Sequence, residues 1–245
     1  MPADAQVKQQ LLTRKTVLDM LIDMEVEPGA KWRMRIQPPS EWPGEEWSWL
    51  PGSAADSQSG LALITRTIAP ATPEPLLAIA PPFPFTQYGE FADFTSLVDL
   101  LKHHWTVAII LLRLGNFSFG IAEDEKLEIH KAGGRYVKNR QRKGGQSAAR
   151  FVRNREKAIQ QLFDQVADVA LSRIQAHDGK IDWLVFGGDR NVILQFMKRL
   201  TLPDGLTDRV APWRVPVERP GFDELKHAVT SAWSCRVWER PQELG

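Results

Sequence analysis

Three consecutive segments between residues 105 and 134 have the pattern of β-strands and follow one another with almost no intervening chain. The first, WTVAIILLRL, is a nearly unbroken apolar run, which is typical of a strand buried on both faces. Gly115-Asn116 predicts a tight turn, and FSFGIAE predicts a second strand. The third, KLEIHKAGG, alternates apolar and polar residues with the period of a half-buried strand. Connections this short favour antiparallel neighbours, so the region predicts a three-stranded meander.

A long helix is predicted after this meander. It runs from Ser147 to about Ala176, and its buried stripe consists of Val152, Ile159, Leu162, Phe163, Val166, Ala170 and Ile174. Farther along, IDWLVFGGD predicts a strand, NVILQFMKRL a helix, residues 222–230 a short helix and SAWSCRVWE a final strand. This order of elements predicts an α/β fold of the α+β type, with a mixed sheet flanked by helices.

The N-terminal part of the chain has a different pattern. Residues 5–24 predict an amphipathic helix, and a stretch dense in Pro, Gly and Trp follows, with a short strand at Trp32–Ile36. We expect the tryptophans of this stretch to close a core. GLALITRTIAP and PLLAIAPPFPF predict two strands, and a helix is predicted at about 94–104. We therefore divide the chain into an N-terminal extension, residues 1–95, and a second domain, residues 96–245.

The composition is typical of a soluble globular protein, since 43% of the residues are hydrophobic and 25% are charged. Cys235 is the only cysteine, which excludes a disulfide framework within the chain and favours a reducing compartment. The adjacent His103 and His104 form no recognisable ligand pattern, so neither a metal nor another cofactor is expected. The sequence shows no signal-peptide pattern and no apolar run near the roughly 20 residues of a membrane helix. We therefore expect a cytoplasmic protein without a membrane partner.

Positive charge is concentrated in one segment. Nine Lys and Arg residues and one Glu lie between Arg135 and Lys157, a local net charge of +8. Because the whole chain has a net charge of +1, the remaining residues carry −7. A basic patch on a mildly acidic protein indicates a surface that binds a polyanion. A solvated helix face with the same composition is the alternative that the pattern leaves open.

Gly144, Gly145 and Gln146 lie inside this basic segment, directly before the predicted long helix. A Gly-Gly pair can adopt backbone angles closed to other residues and allows close approach to another molecule. The first amides of a helix have no intrahelical partner and lie at the positive end of its dipole. They can hold a phosphate, or the oxyanion of an acyl-transfer intermediate. The Gln146 amide can orient a water molecule but cannot act as a general base.

The segment KGGQSAARFVRNREKAIQQLF, with VAIILLRLGNFSFGIAE before it and LVFGGDRNVILQFMK after it, resembles the central domain of eukaryotic and archaeal class I peptide-chain release factors. It also resembles the Vms-type release-factor-like (VLRF) proteins of ribosome rescue. The resemblance runs from about Trp105 to Lys198, and more loosely to the C-terminus. It implies a fold related to ribonuclease H. It also implies an enzyme whose glutamine loop enters the peptidyl-transferase centre and promotes hydrolysis of the ester between peptide and tRNA.

Carried over by motif, Gly144, Gly145 and Gln146 are the implied catalytic loop. The resemblance implies that the Gln146 backbone amide stabilises the oxyanion and that the Gln146 side chain places water. The implied contacts to rRNA or to the tRNA acceptor end are Arg140, Arg142, Lys143, Ser147, Arg150 and Arg153. The implied partners are the large ribosomal subunit and peptidyl-tRNA, with no delivery partner indicated, and we expect a monomer.

Two features of the release factors have no counterpart in this sequence. The stop-codon-reading motif Asn-Ile-Lys-Ser does not occur, and no segment resembles the C-terminal partner-binding domain. The expectation is therefore a codon-independent peptidyl-tRNA hydrolase that rescues stalled ribosomes or split large subunits. Two alternatives remain open: a nuclease that cuts tRNA near its acceptor end, as associated with some Vms-type relatives, and a non-catalytic ribosome-binding module.

Overall fold

The computed structural model describes residues 7–137, 148–177 and 180–241, and the chain forms two compact units. The first unit comprises Met1–His103 together with Trp233–Gly245, and the second comprises His104–Ala232. The division expected from the sequence placed everything after residue 95 in one domain. In the structure the C-terminal segment belongs to the first unit instead, because its strand pairs there on both sides.

The elements of the first unit are β1 (Lys8–Leu12), α1 (Arg14–Glu25), β2 (Ala30–Gln37), α2 (Gly52–Ala55), β3 (Leu61–Ile68), β4 (Glu74–Ala80), β5 (Gly89–Phe91) and α3 (Thr95–Lys102). Those of the second are β6 (Thr106–Arg113), β7 (Asn116–Glu123), β8 (Lys126–Gly134), α4 (Ala148–Ala176), β9 (Trp183–Gly188), α5 (Arg190–Met197), β10 (Val210–Val215) and α6 (Phe222–Ala232). Strand β11 (Cys235–Glu239) belongs to the first unit, and short 3-10 turns lie at Glu45–Trp47 and Thr207–Arg209.

The first unit is built on a six-stranded antiparallel sheet in the order β1-β11-β4-β3-β2-β5. Helices α1 and α3 cover one face, where Val17, Leu21 and Leu97 join a buried apolar cluster. The expected packing of the tryptophans is confirmed for Trp47, which is 1% exposed. It is wrong for Trp42, which is 46% exposed.

The prediction of a helix over residues 5–24 is wrong at its beginning. Residues 8–12 form β1, which pairs with β11 in antiparallel register from Lys8↔Glu239 to Leu12↔Cys235. Thr13 then caps α1, because its side-chain oxygen accepts a hydrogen bond from the Thr16 N–H (3.2 Å). The apolar spacing was compatible with a helix, but the pairing with a strand far along the chain decided the structure.

The second unit contains a five-stranded mixed sheet in the order β10-β9-β6-β7-β8. The predicted meander is confirmed, since β6, β7 and β8 are antiparallel neighbours. Strand β6 lies at the centre, parallel to β9, and Val107 through Leu112 are buried without interruption. The mixed α/β class predicted from the sequence is confirmed.

Helices cover both faces of this second sheet. On one face, α4 and α5 pack against alternate residues of the strands, among them Ile110, Phe119 and Ile121. On the other face, Leu225 of α6 lies close to Gly120. Gly120 faces away from Phe119 and Ile121, because successive residues of a strand face opposite sides of the sheet. The mixed sheet is therefore buried between helical layers.

Strand β10 has no counterpart among the predicted elements. Its sequence contains Pro212, which cannot donate a ladder hydrogen bond, and its pairing with β9 shifts register between Val210 and Arg214. Proline is tolerated there because β10 is an edge strand.

Gly188, at the end of β9, is expected to be intolerant of a side chain. Its φ is +112°, and a Cβ atom would lie 2.3 Å from the carbonyl oxygen of Leu112. Gly188→Ala should destabilise the protein by about 3 kcal/mol or more, because backbone strain and a backbone clash add. Gly205→Ala is the matched control, since Gly205 has a φ of +76° but open space around it, and it should cost about 1–2 kcal/mol. Urea unfolding followed by circular dichroism measures both, and equal losses would contradict the clash.

Candidate functional site

The predicted catalytic residues Gly144, Gly145 and Gln146 lie outside the described residues. The same holds for four of the predicted RNA contacts, Arg140, Arg142, Lys143 and Ser147. Arg150 and Arg153 lie within α4, and both are exposed. The described geometry of the site is therefore that of its two flanks, the end of β8 and the start of α4.

The flank that follows β8 is tied to the body of the second unit. The Arg135 N–H donates a hydrogen bond to the carbonyl oxygen of Gly115 (2.9 Å), in the turn between β6 and β7. Gly115 has a φ of +107°, which that turn requires. Two residues after Arg135, Val137 packs against the core. The chain thus leaves the sheet at a fixed point.

The other flank is a helical arm, which we define as residues 148–158 of α4. Among the described side chains of the helix, Ile159 is the first that packs against the core and Leu162 is the first that is fully buried. Between 150 and 158 every side chain is exposed or half-buried. At 1.5 Å per residue, the arm extends about 16 Å beyond the part of the helix that packs on the sheet. A strongly basic helix therefore continues past the core towards residues 144–146.

Both flanks lie at one edge of the second sheet. Strands β6 and β9 are parallel, so Arg113 and Gly188 end them at the same edge. Strand β8 is antiparallel to β7, which is antiparallel to β6, so Gly134 ends β8 there too. We call this the carboxyl edge.

The carboxyl edge carries arginines that the sequence reasoning missed. Arg190 and Arg219 are exposed there, and the Arg113 guanidinium donates to the carbonyl oxygen of Glu218 (2.8 Å). Asp189 at the same edge is the N-cap of α5, and its carboxylate accepts hydrogen bonds from two backbone N–H groups, at 2.9 and 3.0 Å. The missed signal is positional: Arg113 is the next-to-last residue of one predicted strand, and Arg190 directly follows another.

Acidic groups near this edge are also paired locally. In the first turn of α6, Lys226 lies 2.8 Å from the Asp223 carboxylate. The hydrogen bond and positive charge of Lys226 lower the pKa of Asp223, so it is ionised at neutral pH and matched by its neighbour. Asp189 and Asp223 thus each have a local partner at or near the carboxyl edge.

The opposite edge is acidic. Asp182 accepts a hydrogen bond from the Thr106 N–H (3.0 Å), and Asp124 accepts one from the Trp105 N–H (3.3 Å) and contacts the His104 ring. Asp124 thereby ties the turn between β7 and β8 to the residues that precede β6. Within the described residues no three His, Cys, Asp or Glu side chains are grouped to hold a metal ion.

The first unit contains a groove of about 910 Å³ that is unsuited to a polyanion. Its walls include the carboxylates Asp19, Asp23, Glu27 and Glu239. Arg66 and Arg240 are the cations among its lining residues, and Arg66 lies within 3.4 Å of Glu27. Carboxylates outnumber cations there, so the described surface that favours RNA phosphates is the arm and the carboxyl edge.

A family model described as the Actinobacteria/chloroflexi VLRF1 release factor matches residues 105–238. This span is more than half of the chain and includes the whole described part of the site, so the protein belongs to the VLRF1 release factor family. The resemblance found in the sequence is thereby confirmed.

Archaeal release factors are similar over part of the same region. The chain is 30% identical over 115 residues to peptide chain release factor subunit 1-1 of Methanosarcina acetivorans, covering 45% of this chain and 28% of that protein. It is 28% identical over 114 residues to the Archaeoglobus fulgidus subunit 1, again covering 45% and 28%. The chain thus spans less than a third of the length of these relatives.

Two solved structures are also similar at low identity. The crystal structure of the archaeal translation termination factor aRF1 is 16% identical, with a TM-score of 0.42, over 90% of this chain and 70% of that one. The Vms1 mitochondrial localization core is 16% identical, with a TM-score of 0.43, over 71% of this chain and 74% of that one.

No helix in the described ranges combines the length and hydrophobicity needed to span a bilayer.

The arm is expected to open more readily than the rest of α4. Its backbone hydrogen bonds are not covered by core packing, whereas residues 162–170 include four buried apolar side chains. Amides of residues 152–158 should exchange with deuterium at least about tenfold faster than those of 162–170, which corresponds to about 1.4 kcal/mol in opening free energy. Mass-spectrometric hydrogen exchange measures this, and uniform protection along α4 would show that the arm is packed.

Proposed function

We propose that this protein is a codon-independent peptidyl-tRNA hydrolase that releases the nascent peptide from stalled ribosomes or split large subunits. The observation that carries the proposal is the position of Gly144-Gly145-Gln146, directly before an exposed basic helical arm and inside the region matched by the VLRF1 release factor family. The tripeptide alone is weak evidence for this function. The family match and the exposed arm that follows the tripeptide support its proposed catalytic role.

The proposed chemistry is attack by water on the ester carbonyl carbon of peptidyl-tRNA. The backbone N–H of Gln146 stabilises the oxyanion of the tetrahedral intermediate, and its side-chain amide orients the water. Collapse of the intermediate breaks the bond to the ribose oxygen. The products are a peptide with a free carboxylate and a tRNA with an intact 3′ end. Because an amide is no general base, the contribution of the protein is positioning and electrostatics.

The proposed partners are the large ribosomal subunit and peptidyl-tRNA. Arg150 and Arg153 on the arm, with Arg140, Arg142, Lys143 and Ser147 before it, are the proposed contacts to rRNA or to the tRNA acceptor end. An arm extending about 16 Å from the core can carry the tripeptide into a cavity that the body of the protein cannot enter. Its cations would be neutralised by phosphates on entry.

The decisive experiment uses 50S subunits and ribosomes that carry labelled peptidyl-tRNA, with and without a stop codon in the decoding site. We expect free peptide and intact tRNA in all cases. Gln146→Ala should slow release, because it removes the side chain that orients the water. The loss should not exceed about 10²–10³-fold, the typical cost of a lost oxyanion contact, because the substitution spares the backbone amide. Gln160→Ala, an exposed glutamine farther along α4, is the matched control and should keep full activity.

The products separate the alternatives. Peptide still joined to a short nucleotide fragment would make the protein a tRNA nuclease. No product that depends on Gln146, despite ribosome binding, would leave a non-catalytic binding module. Release only with a stop codon would contradict codon independence.

The arm is expected to bind RNA through its charges. The double variant Arg150→Ala/Arg153→Ala should weaken ribosome binding and flatten its dependence on the logarithm of salt concentration by about 0.7–0.9 per charge removed. Lys31→Ala/Arg33→Ala removes the same charge from exposed positions on β2 and should leave the slope unchanged. Binding titrations at several salt concentrations measure both, and the same slope for the two variants would contradict an RNA contact at the arm.

A further inference from the structure

Tyr136 is the most exposed large apolar or aromatic side chain in the described part of the chain, at 81%. It lies two residues after the end of β8, on the flank opposite the helical arm. The sequence contains one other tyrosine, Tyr88, which is 45% exposed and whose hydroxyl donates to the carbonyl oxygen of Phe85 (3.2 Å).

The exposed position of Tyr136 is imposed by its neighbours on both sides. The Arg135 N–H is bonded to Gly115, and the Val137 side chain packs against the core of the second unit. The backbone on either side of Tyr136 is thus held while its ring is left to solvent. An aromatic ring held outward on an anchored backbone is preorganised for contact, because little conformational freedom remains to be lost on binding.

The surroundings of Tyr136 select the partner. The adjacent Arg135 is exposed, and no carboxylate occurs in the sequence between Glu128 and Glu156. An apolar protein surface would leave this positive charge unmatched. An exposed aromatic ring beside an exposed cation fits single-stranded nucleic acid, whose bases stack on the ring and whose phosphates pair with the cation.

We propose that Tyr136 is a stacking platform for an unpaired RNA base, with Arg135 contacting the adjoining phosphate. This inference rests on the proposed function, which brings the flank of residues 144–146 to the single-stranded 3′ end of tRNA. Tyr136 is a binding residue for that end, separate from the tripeptide proposed to act on the ester. An unpaired base of rRNA offers the same chemistry, and the test distinguishes the two sources.

The test measures equilibrium binding of the full chain to two RNA hairpins with the same stem. One has a four-nucleotide single-stranded 3′ overhang, and the other is blunt. Tyr136→Ala should weaken binding to the overhang hairpin by about 5- to 150-fold and leave binding to the blunt hairpin unchanged. Tyr136→Phe should restore the overhang preference because stacking needs the ring and not the hydroxyl. Tyr88→Ala is the matched control and should behave like the unaltered protein.

Binding to 50S subunits with an empty peptidyl site identifies the source of the base. If Tyr136→Ala weakens that binding, Tyr136→Phe restores it and the hairpins are unaffected, the stacked base belongs to rRNA. The proposal is overturned if Tyr136→Ala changes neither measurement, if it weakens both hairpins equally, or if Tyr136→Phe is as weak as Tyr136→Ala.

The binding readout keeps this proposal separable from the proposed function. The measurements are repeated in the Gln146→Ala background, where release is slowed. If the unaltered protein shows an overhang preference that depends on Tyr136 but releases no peptide, the proposed function is refuted and the stacking platform stands. Release that depends on Gln146, with kcat and KM unaffected by Tyr136→Ala, would refute the platform alone.

Discussion

The parallel pairing of β6 with β9 is the constraint on which the arrangement of the second unit depends. A parallel neighbour requires a connection that returns to the starting edge of the sheet. Between the two strands the chain adds β7 and β8, whose end lies at the carboxyl edge, and α4 must then run back along the sheet before β9 can begin. The start of α4 is therefore forced to the carboxyl edge. The buried β6, apolar on both faces, holds this topology in place.

A mismatch of lengths converts this topology into a projecting element. Strand β6 has 8 residues and spans about 26 Å, whereas α4 has 29 residues and spans about 44 Å. The excess appears at the N-terminal end, where core contacts begin only at Ile159. A helix that served only as a crossover would need no such excess. Its length supplies reach, and its arginines supply a local positive charge that the proposed RNA contact would use.

Sequence reasoning succeeded where the local pattern and the tertiary environment agree. The meander and α4 were predicted because β6 is buried on both faces and α4 buries one stripe, so that hydrophobicity reports position directly. It failed where pairing with a strand distant in sequence determined the secondary structure. Residues 8–12 form a strand because β11 lies beside them. Strand β10 pairs with β9 although it contains a proline, which argues against a strand. For the site, the tripeptide and the arm were visible as motifs. Arg190 and Tyr136 were not, because their significance comes from strand order and from the anchoring of neighbours, which no spacing rule encodes.

A glutamine site imposes a different demand on a fold than an acid–base site does. A catalytic carboxylate or imidazole can be tuned by burial and by its neighbours, so its scaffold must provide a pocket. An amide has no pKa to tune near neutral pH, and in the proposed mechanism its effect depends on where the N–H and the side chain are held relative to the ester. In the proposed mechanism the protein needs no enclosed pocket for such a group. It needs a projecting support with fixed ends, and the described flanks provide this: a hydrogen-bonded, core-packed exit from β8 on one side and a helix rooted in the core on the other. The remaining walls of the reaction site would then be supplied by the ribosome.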